Sequence, residues 1–182
     1  ICARFGDEYW LEKDRTGDFP SDLHQALARD GWLGICIPEE YGGSGLGITE
    51  AMVIMQAISQ SGAGMSGASA VHMNIFGLNP VVVFGTEAQK KRMLPPLVRG
   101  EQKACFAVTE PNTGLNTTQL KTRAERQGDH YLLNGAKVWI STAQVADKML
   151  ILTRTTPLEK VKKHTHGLSL FMVDTKSKGI EL

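Results

Sequence analysis

Cys105-Phe-Ala-Val-Thr-Glu-Pro-Asn-Thr-Gly-Leu115 decides how this chain is read, together with Asn134-Gly-Ala-Lys-Val-Trp-Ile-Ser141 downstream. Each is a short apolar run ending in small or hydroxylated residues, and a charged hairpin lies between them. Short β-branched and aromatic runs bounded by turn residues read as strands. The same pattern covers Lys103 to Thr109, Leu120 to Arg126, His130 to Leu133, Ala136 to Ile140, Lys148 to Thr155 and Leu168 to Asp174. Turn signals at Gln127-Gly128-Asp129, at Asn134-Gly135 and around Pro157 punctuate these runs. The Asn-Gly pair between two apolar runs predicts a hairpin there.

Upstream of Gly100 the pattern is helical. Ser21 reads as an N-cap, with Leu23, Leu27 and Ala28 following at helical spacing until Gly31 ends the helix. Ile48 to Ile58 is apolar nearly all round, which predicts a buried helix. A second buried segment, Ala63 to Phe84, should kink or stop at Pro80. Thr86-Glu-Ala-Gln89 fits a capping box opening a short basic helix that Pro95-Pro96 closes. Helices first and strands second predict an α+β, multidomain chain. The expected division is a helical domain over 1–102 and a β domain over 103–182, with the boundary near residue 102.

Composition narrows the function classes. The formal net charge of +1 gives no electrostatic case for nucleic acid as partner. No single apolar run approaches the roughly 20 residues of a membrane span. Cys2, Cys36 and Cys105 are odd in number and far apart, so no disulfide framework or zinc site is indicated, and a reducing compartment is expected. No metal site is expected. Ile1 stands where an initiator methionine would, and Ile180-Glu-Leu182 reads as strand interior; the expectation is a piece of a longer polypeptide.

The chemistry of the quoted stretches suits a flavin. Its ring system is flat and apolar in the middle, with hydrogen-bonding atoms along one edge, and a protein holds it with backbone N–H groups and packing surfaces. A turn through Thr109-Glu-Pro-Asn-Thr-Gly114 can offer such N–H groups, Pro111 stiffening it and Gly114 permitting positive φ and close approach. Trp139 adds a large planar side chain and Ser141 a hydroxyl. Spacing alone favours an ordinary β-turn and a core tryptophan over a flavin seat, since turns of this kind are common. Glu110 and Asp129 read as turn residues, and neither is assigned as a catalytic base. Gly42-Gly-Ser-Gly-Leu-Gly47 is not GxGxxG and reads as an irregular loop. His164 and His166, within a lysine-rich stretch, read as a solvated hairpin tip.

Four segments in order carry a family resemblance. Ala104-Cys-Phe-Ala-Val-Thr-Glu-Pro-Asn-Thr-Gly-Leu-Asn116 resembles the first signature of the acyl-CoA dehydrogenases, and Gly128 to Ser141 resembles the segment that follows it. Gly34-Ile-Cys-Ile-Pro-Glu-Glu-Tyr-Gly-Gly-Ser-Gly45 and Phe84-Gly-Thr-Glu-Ala-Gln-Lys-Lys-Arg92 are similar to N-terminal segments of the same family. The resemblance implies a helical N-terminal domain, an antiparallel, barrel-like middle β domain that is incomplete here, and a C-terminal helical domain that lies outside this sequence.

It also implies roles. FAD would be the cofactor, with Phe106, Val108, Thr109, Gly114, Trp139 and Ser141 in contact with it. Leu115, Ser69, His72 and Phe76 would face the acyl-CoA substrate, and Phe76 would shorten the acyl cavity toward short or branched groups. The family commonly has Gly-Ser-Asp where this chain has Gly114-Leu115-Asn116, so the usual serine contact to thioester and cofactor is missing. The catalytic base would lie beyond Leu182. The implied activity is α,β-dehydrogenation of an acyl-CoA, with electrons passed to an electron-transferring flavoprotein. A homotetramer or homodimer is implied, in the bacterial cytoplasm or the mitochondrial matrix. An acyl-CoA oxidase, a flavin monooxygenase or nitroalkane oxidase on the same fold, and a non-catalytic member remain as alternatives.

Overall fold

A computed structural model describes all of residues 1–182. The chain divides into two compact units, Ile1–Ala104 and Cys105–Leu182.

Six α-helices build the first unit: α1 (Asp7–Thr16), α2 (Ser21–Arg29), α3 (Ile48–Ile58), α4 (Gly64–His72), α5 (Asn79–Phe84) and α6 (Glu87–Val98). Helix α1 carries Asp7 and Glu8 in its first turn and Lys13 and Arg15 in its last, a charge order that complements the helix dipole. Its Trp10 is buried and donates Nε1–H to the Phe5 carbonyl at 3.0 Å. Trp10 packs in one core with Leu23, Leu27, Leu33, Ile58 and Val71. His24 is buried in this unit too, and burial, with Lys103 as the smaller cause, lowers its pKa to about 4.

Several helix ends differ from their expected form. Ser21 is the first residue of α2 rather than its cap, and no side chain caps that helix. Pro80 opens α5 at its first turn, where a missing N–H costs nothing, after a π-helical turn at Met73–Gly77. Pro95 and Pro96 lie inside α6, which runs on to Val98. The carbonyls they leave unpaired belong to Lys91 and Arg92, both exposed, where water can serve them. The capping box is present: Thr86 Oγ1 accepts the Gln89 N–H at 3.3 Å, and Gln89 Oε1 accepts the Thr86 N–H at 2.8 Å.

Helix α3 is not the buried helix that its composition predicts. Only Ala51 and Ile58 are buried, while Ile48, Met52 and Val53 are more than half exposed. An apolar perimeter produces burial only where neighbours cover every side. Joined end to end, α3 to α5 form a helical stretch, Ile48–Phe84, of 37 residues, whose most apolar 18-residue window has mean hydropathy 1.3. By length and composition this stretch could cross a membrane, contrary to the expectation from single runs. Half of its most apolar window is buried inside its own unit, and Gly62 (φ 93°) and Gly64 (φ 50°) break its helical geometry.

The second unit contains a five-stranded sheet. Its strands are β1 (Ala104–Ala107, which begins at the unit boundary), β2 (Arg123–Gln127), β3 (His130–Asn134), β4 (Lys148–Arg154) and β5 (Leu168–Asp174). The order is β1-β4-β2-β3, with β5 also pairing β4. β4 and β5 are antiparallel over their full length, from Lys148↔Asp174 to Arg154↔Leu168. β2 and β3 form a hairpin closing at Gln127↔His130, so its two-residue loop is Gly128-Asp129. β2 meets β4 in parallel at Arg123↔Arg154 alone, so the sheet is not wholly antiparallel. Arg154 is buried, and its guanidinium donates to the carbonyls of Thr118, His164 and His166, closing the loop between β4 and β5.

The hairpin expected at Asn134-Gly135 does not form. Gly135 lies where β3 ends against Thr122, and a Cβ there would stand 2.2 Å from Thr122 Oγ1. Glycine serves close approach at this point rather than a turn. The run from Ala136 to Ile140 is accordingly irregular, not a strand. Ile180–Leu182 is not strand either.

Candidate functional site

The Thr109–Gly114 segment is a tight two-residue loop. The Glu110 N–H donates to the Thr113 carbonyl at 2.9 Å, and the Thr113 N–H returns a bond to the Glu110 carbonyl at 3.0 Å. Pro111 and Asn112 form its tip, the fixed φ of proline suiting the first corner position. The loop spends these two N–H groups internally, so outward donors come from its flank at Gly114 and Leu115, both exposed. Gly114 does not take the positive φ expected of it, and the space around its Cβ position is open. Leu115 is fully exposed.

Glu110 is buried, and its carboxylate accepts hydrogen bonds from three donors. Lys121 N–H reaches Oε2 at 2.6 Å, Thr122 N–H reaches Oε1 at 2.9 Å, and Lys137 Nζ reaches Oε1 at 2.9 Å. The Lys137 and Glu110 side chains are 7% and 6% exposed, so this is a buried ion pair. Burial alone would raise the Glu110 pKa. Hydrogen bonds from Thr122, from the Lys121 N–H and from Lys137 outweigh it and hold the carboxyl down to about 2. Burial lowers the Lys137 pKa, against the opposing pull of Glu110.

Lys137 Nζ also donates to the Val108 carbonyl at 3.0 Å, and one residue on, the Val138 N–H donates to the Thr109 carbonyl at 2.9 Å. These bonds bring the end of β1 and the 137–142 segment together. Beyond them the backbone is strained. Trp139 (φ 59°) and Thr142 (φ 68°) are the two non-glycine residues with positive φ, a region costly for a bulky side chain. Between them Ile140 packs into the core formed by Cys105, Ala107, Ala146 and Met149. Trp139 itself is 91% exposed, so it is not the core tryptophan that spacing alone would also allow. Ser141 is exposed, and Phe106, Val108 and Thr109 are half-buried. Cys105 is buried, which pushes its thiol up to about 11.

In the helical unit, Ser69 and His72 are half-buried on α4, and Phe76 follows in the π-helical turn, 49% exposed. His72 Nδ1 lies 2.7 Å from the Ser69 carbonyl, and the His72 and Phe76 rings stack with centroids 5.0 Å apart. The three therefore share one face. His164 and His166 are exposed in the loop between β4 and β5, where their backbone carbonyls hold Arg154.

Sequence reasoning missed the Glu110–Lys137 pair. One signal was available: Lys137 stands between Ala136 and Val138 inside an apolar run, a place where a lysine needs a partner. Of the residues expected to hold a cofactor, those at the end of β1 are half-buried, while Gly114, Trp139 and Ser141 are exposed.

Comparison with known proteins agrees with both units. Residues 2–101 match the acyl-CoA dehydrogenase N-terminal domain, and residues 105–182 match the acyl-CoA dehydrogenase middle domain. The chain is 36% identical over 178 residues to the mitochondrial isovaleryl-CoA dehydrogenase of Pongo abelii, covering 94% of this chain and 41% of that protein. It is 34% identical to the caffeyl-CoA reductase-Etf complex subunit CarC of Acetobacterium woodii, covering 94% and 44%. A glutaryl-CoA dehydrogenase from Mycobacterium smegmatis, solved in complex with FADH2, superposes with a TM-score of 0.78 at 28% identity, covering 93% and 40%. The chain thus spans less than half the length of these relatives. On the two domain matches, which together cover nearly all of its residues, it belongs to the acyl-CoA dehydrogenase family.

Proposed function

We propose that this chain is the FAD-holding part of an enzyme that moves hydrogen across the Cα–Cβ bond of a short or branched acyl-CoA thioester. The observation that carries the reading is Trp139, exposed on a left-handed backbone and tied by its neighbour Val138 to the Thr109 carbonyl. A large aromatic side chain held out of the core at a cost in backbone strain has a use outside the core.

Phe106, Val108, Thr109, Gly114, Trp139 and Ser141 would hold the FAD, which when bound supplies the acceptor for the hydride at Cβ. Phe106 and Val108 would give apolar packing, Thr109 and Ser141 hydroxyl and backbone donors, and Gly114 room for close approach. Trp139 would cover ring surface from water. Leu115 offers the substrate only packing and a backbone N–H, and Ser69, His72 and Phe76 would line the acyl side. Glu110 is not the base: three donors fix it as a buried carboxylate. The proton acceptor would come from outside residues 1–182.

The relatives' names include both a dehydrogenase and a reductase. We therefore propose the bond and the cofactor, and leave direction to the electron partner, for which an electron-transferring flavoprotein is the proposal. A homo-oligomer is proposed on the family alone.

The test is a titration of the full-length protein, loaded with FAD, with acyl-CoAs of graded length and branching. Bleaching of the visible flavin absorbance by short or branched acyl-CoAs is expected. Peroxide formed without an added electron acceptor would show an oxidase. Failure of every acyl-CoA and enoyl-CoA to change the flavin spectrum would overturn the proposal.

A further inference from the structure

The geometry points to the buried Glu110–Lys137 ion pair as a positioning device that sets the backbone of the cofactor-holding segments, an inference that rests on the FAD reading above. Glu110 and Lys137 would not touch the cofactor. They would act through the peptide planes of Val108 and Thr109 and through the path of residues 137–142.

The pair joins three stretches of chain. Lys137 Nζ bonds Glu110 Oε1 at 2.9 Å and the Val108 carbonyl at 3.0 Å. Glu110 in turn takes the N–H groups of Lys121 and Thr122, which begin the approach to β2. Every proposed cofactor contact except Gly114 lies within four residues of one partner on the side where the chain is held. Phe106, Val108 and Thr109 precede Glu110, while Trp139 and Ser141 follow Lys137.

The lysine has a directional effect that an apolar residue would lack. All peptide bonds here are trans, so the carbonyl of one residue and the N–H of the next point to opposite sides. By taking the Val108 carbonyl, Lys137 aims the Thr109 N–H away from the buried pair. The Val138 N–H then takes the Thr109 carbonyl and locks the following plane the other way. A well-packed apolar pair of similar volume would stabilise the unit at least as well as a buried ion pair. Stability alone therefore does not account for a charge-assisted bond to a main-chain carbonyl at this position.

The experiment compares four forms of the full-length protein: wild type, Glu110→Gln, the double variant Glu110→Gln/Lys137→Met, and Lys148→Met. The last breaks the exposed Lys148–Asp174 pair in the same unit and serves as control. Each is measured for unfolding midpoint, for FAD dissociation constant, and for the visible circular dichroism of bound FAD, which reports how the ring is held.

The double variant, with no buried charge left unpaired, should regain most of the stability that Glu110→Gln loses. Its FAD affinity should stay at least ~10-fold weaker than wild type, as expected for losing the charge-assisted bond to the Val108 carbonyl. Its visible dichroism should differ from wild type, and Lys148→Met should match wild type in all three. A double variant that binds FAD within twofold of wild type with the same dichroism overturns the positioning role and leaves the cofactor reading intact. Should the double variant fail to fold, Glu110→Gln decides the matter, since an unchanged affinity and dichroism in that variant is equally fatal. Wild-type protein that binds no FAD overturns the cofactor reading itself, and the positioning role with it.

Discussion

Acid should remove the Glu110 contribution to stability within a defined pH window. The carboxyl is held at about 2 in the folded chain, against an ordinary 4.5. A group whose pKa is depressed by folding stabilises the fold fully above its unfolded value and loses that contribution as pH falls through its folded value. The contribution should therefore be complete above about pH 5 and gone near pH 2. At 1.36 kcal/mol for each pH unit, it amounts to roughly 3 kcal/mol. That is close to the ~3–5 kcal/mol expected when a buried ion pair loses one partner. His24 complicates a simple acid titration, because its pKa of about 4 against an ordinary 6.5 makes the helical unit lose stability between those two values. The measurement should thus be a difference. Urea unfolding of wild type and Glu110→Gln at a series of pH values cancels His24, which both proteins share. The gap should be roughly 3 kcal/mol at neutral pH and close toward zero as wild-type Glu110 becomes protonated. A gap that stays constant from pH 7 to 2, or no gap at pH 7, would refute the account of the buried pair.

Three further substitutions probe other parts of the argument. Gly135→Ala places a Cβ 2.2 Å from Thr122 Oγ1 and 2.7 Å from its Cα, so a loss of about 1–3 kcal/mol in urea unfolding is expected; a neutral result would mean that β3 does not press on Thr122 as described. Thr86→Ala removes the cap of α6 and should cost about 1 kcal/mol, read as a lower unfolding midpoint with an unchanged denaturant slope. Phe76→Ala should shift the acyl-CoA length profile of the full-length enzyme toward longer chains by opening the space beside His72; a profile that does not move, or that peaks at long straight chains in wild type, removes Phe76 from the acyl side.

The order of elements was legible because each signal is local. Thr86 and Gln89 satisfy each other's backbone groups within four residues, and the 3.6- and 2-residue periodicities survive whatever they pack against. The misreadings occurred where the deciding contact is distant. Asn134-Gly135 has hairpin composition, yet Thr122 occupies the space beside Gly135, and the chain runs on irregularly instead. Pro95 and Pro96 look like terminators, but the carbonyls they orphan are exposed and the helix continues. Helix α3 shows the same limit for burial, since its composition does not reveal which faces its own unit covers. The residues proposed to hold the cofactor were legible as a motif. The ion pair beneath them was not, because Glu110 and Lys137 are far apart in sequence and the apolar run around Lys137 calls for a partner without naming it.

Trp139 and Lys137 exchange the places that composition would assign them. Packing alone would bury the tryptophan and expose the lysine, since burying an indole is favourable and burying an ammonium is costly. Here the lysine is 7% exposed on its side chain, and the tryptophan two residues later is 91% exposed on a strained backbone. The switch is not a local accident, because Ile140 between Trp139 and Ser141 packs normally into the core. Departures from local preference cluster where a protein trades stability for use. The buried pair, the two positive-φ residues and the exposed Leu115 all fall within residues 110–142. If that stretch served only to complete a sheet, Trp139→Ala would leave stability unchanged, since alanine keeps the Cβ that the left-handed backbone strains, and FAD affinity would not move. A large fall in FAD affinity with little change in stability is the result expected of a residue kept outside the core for a ligand.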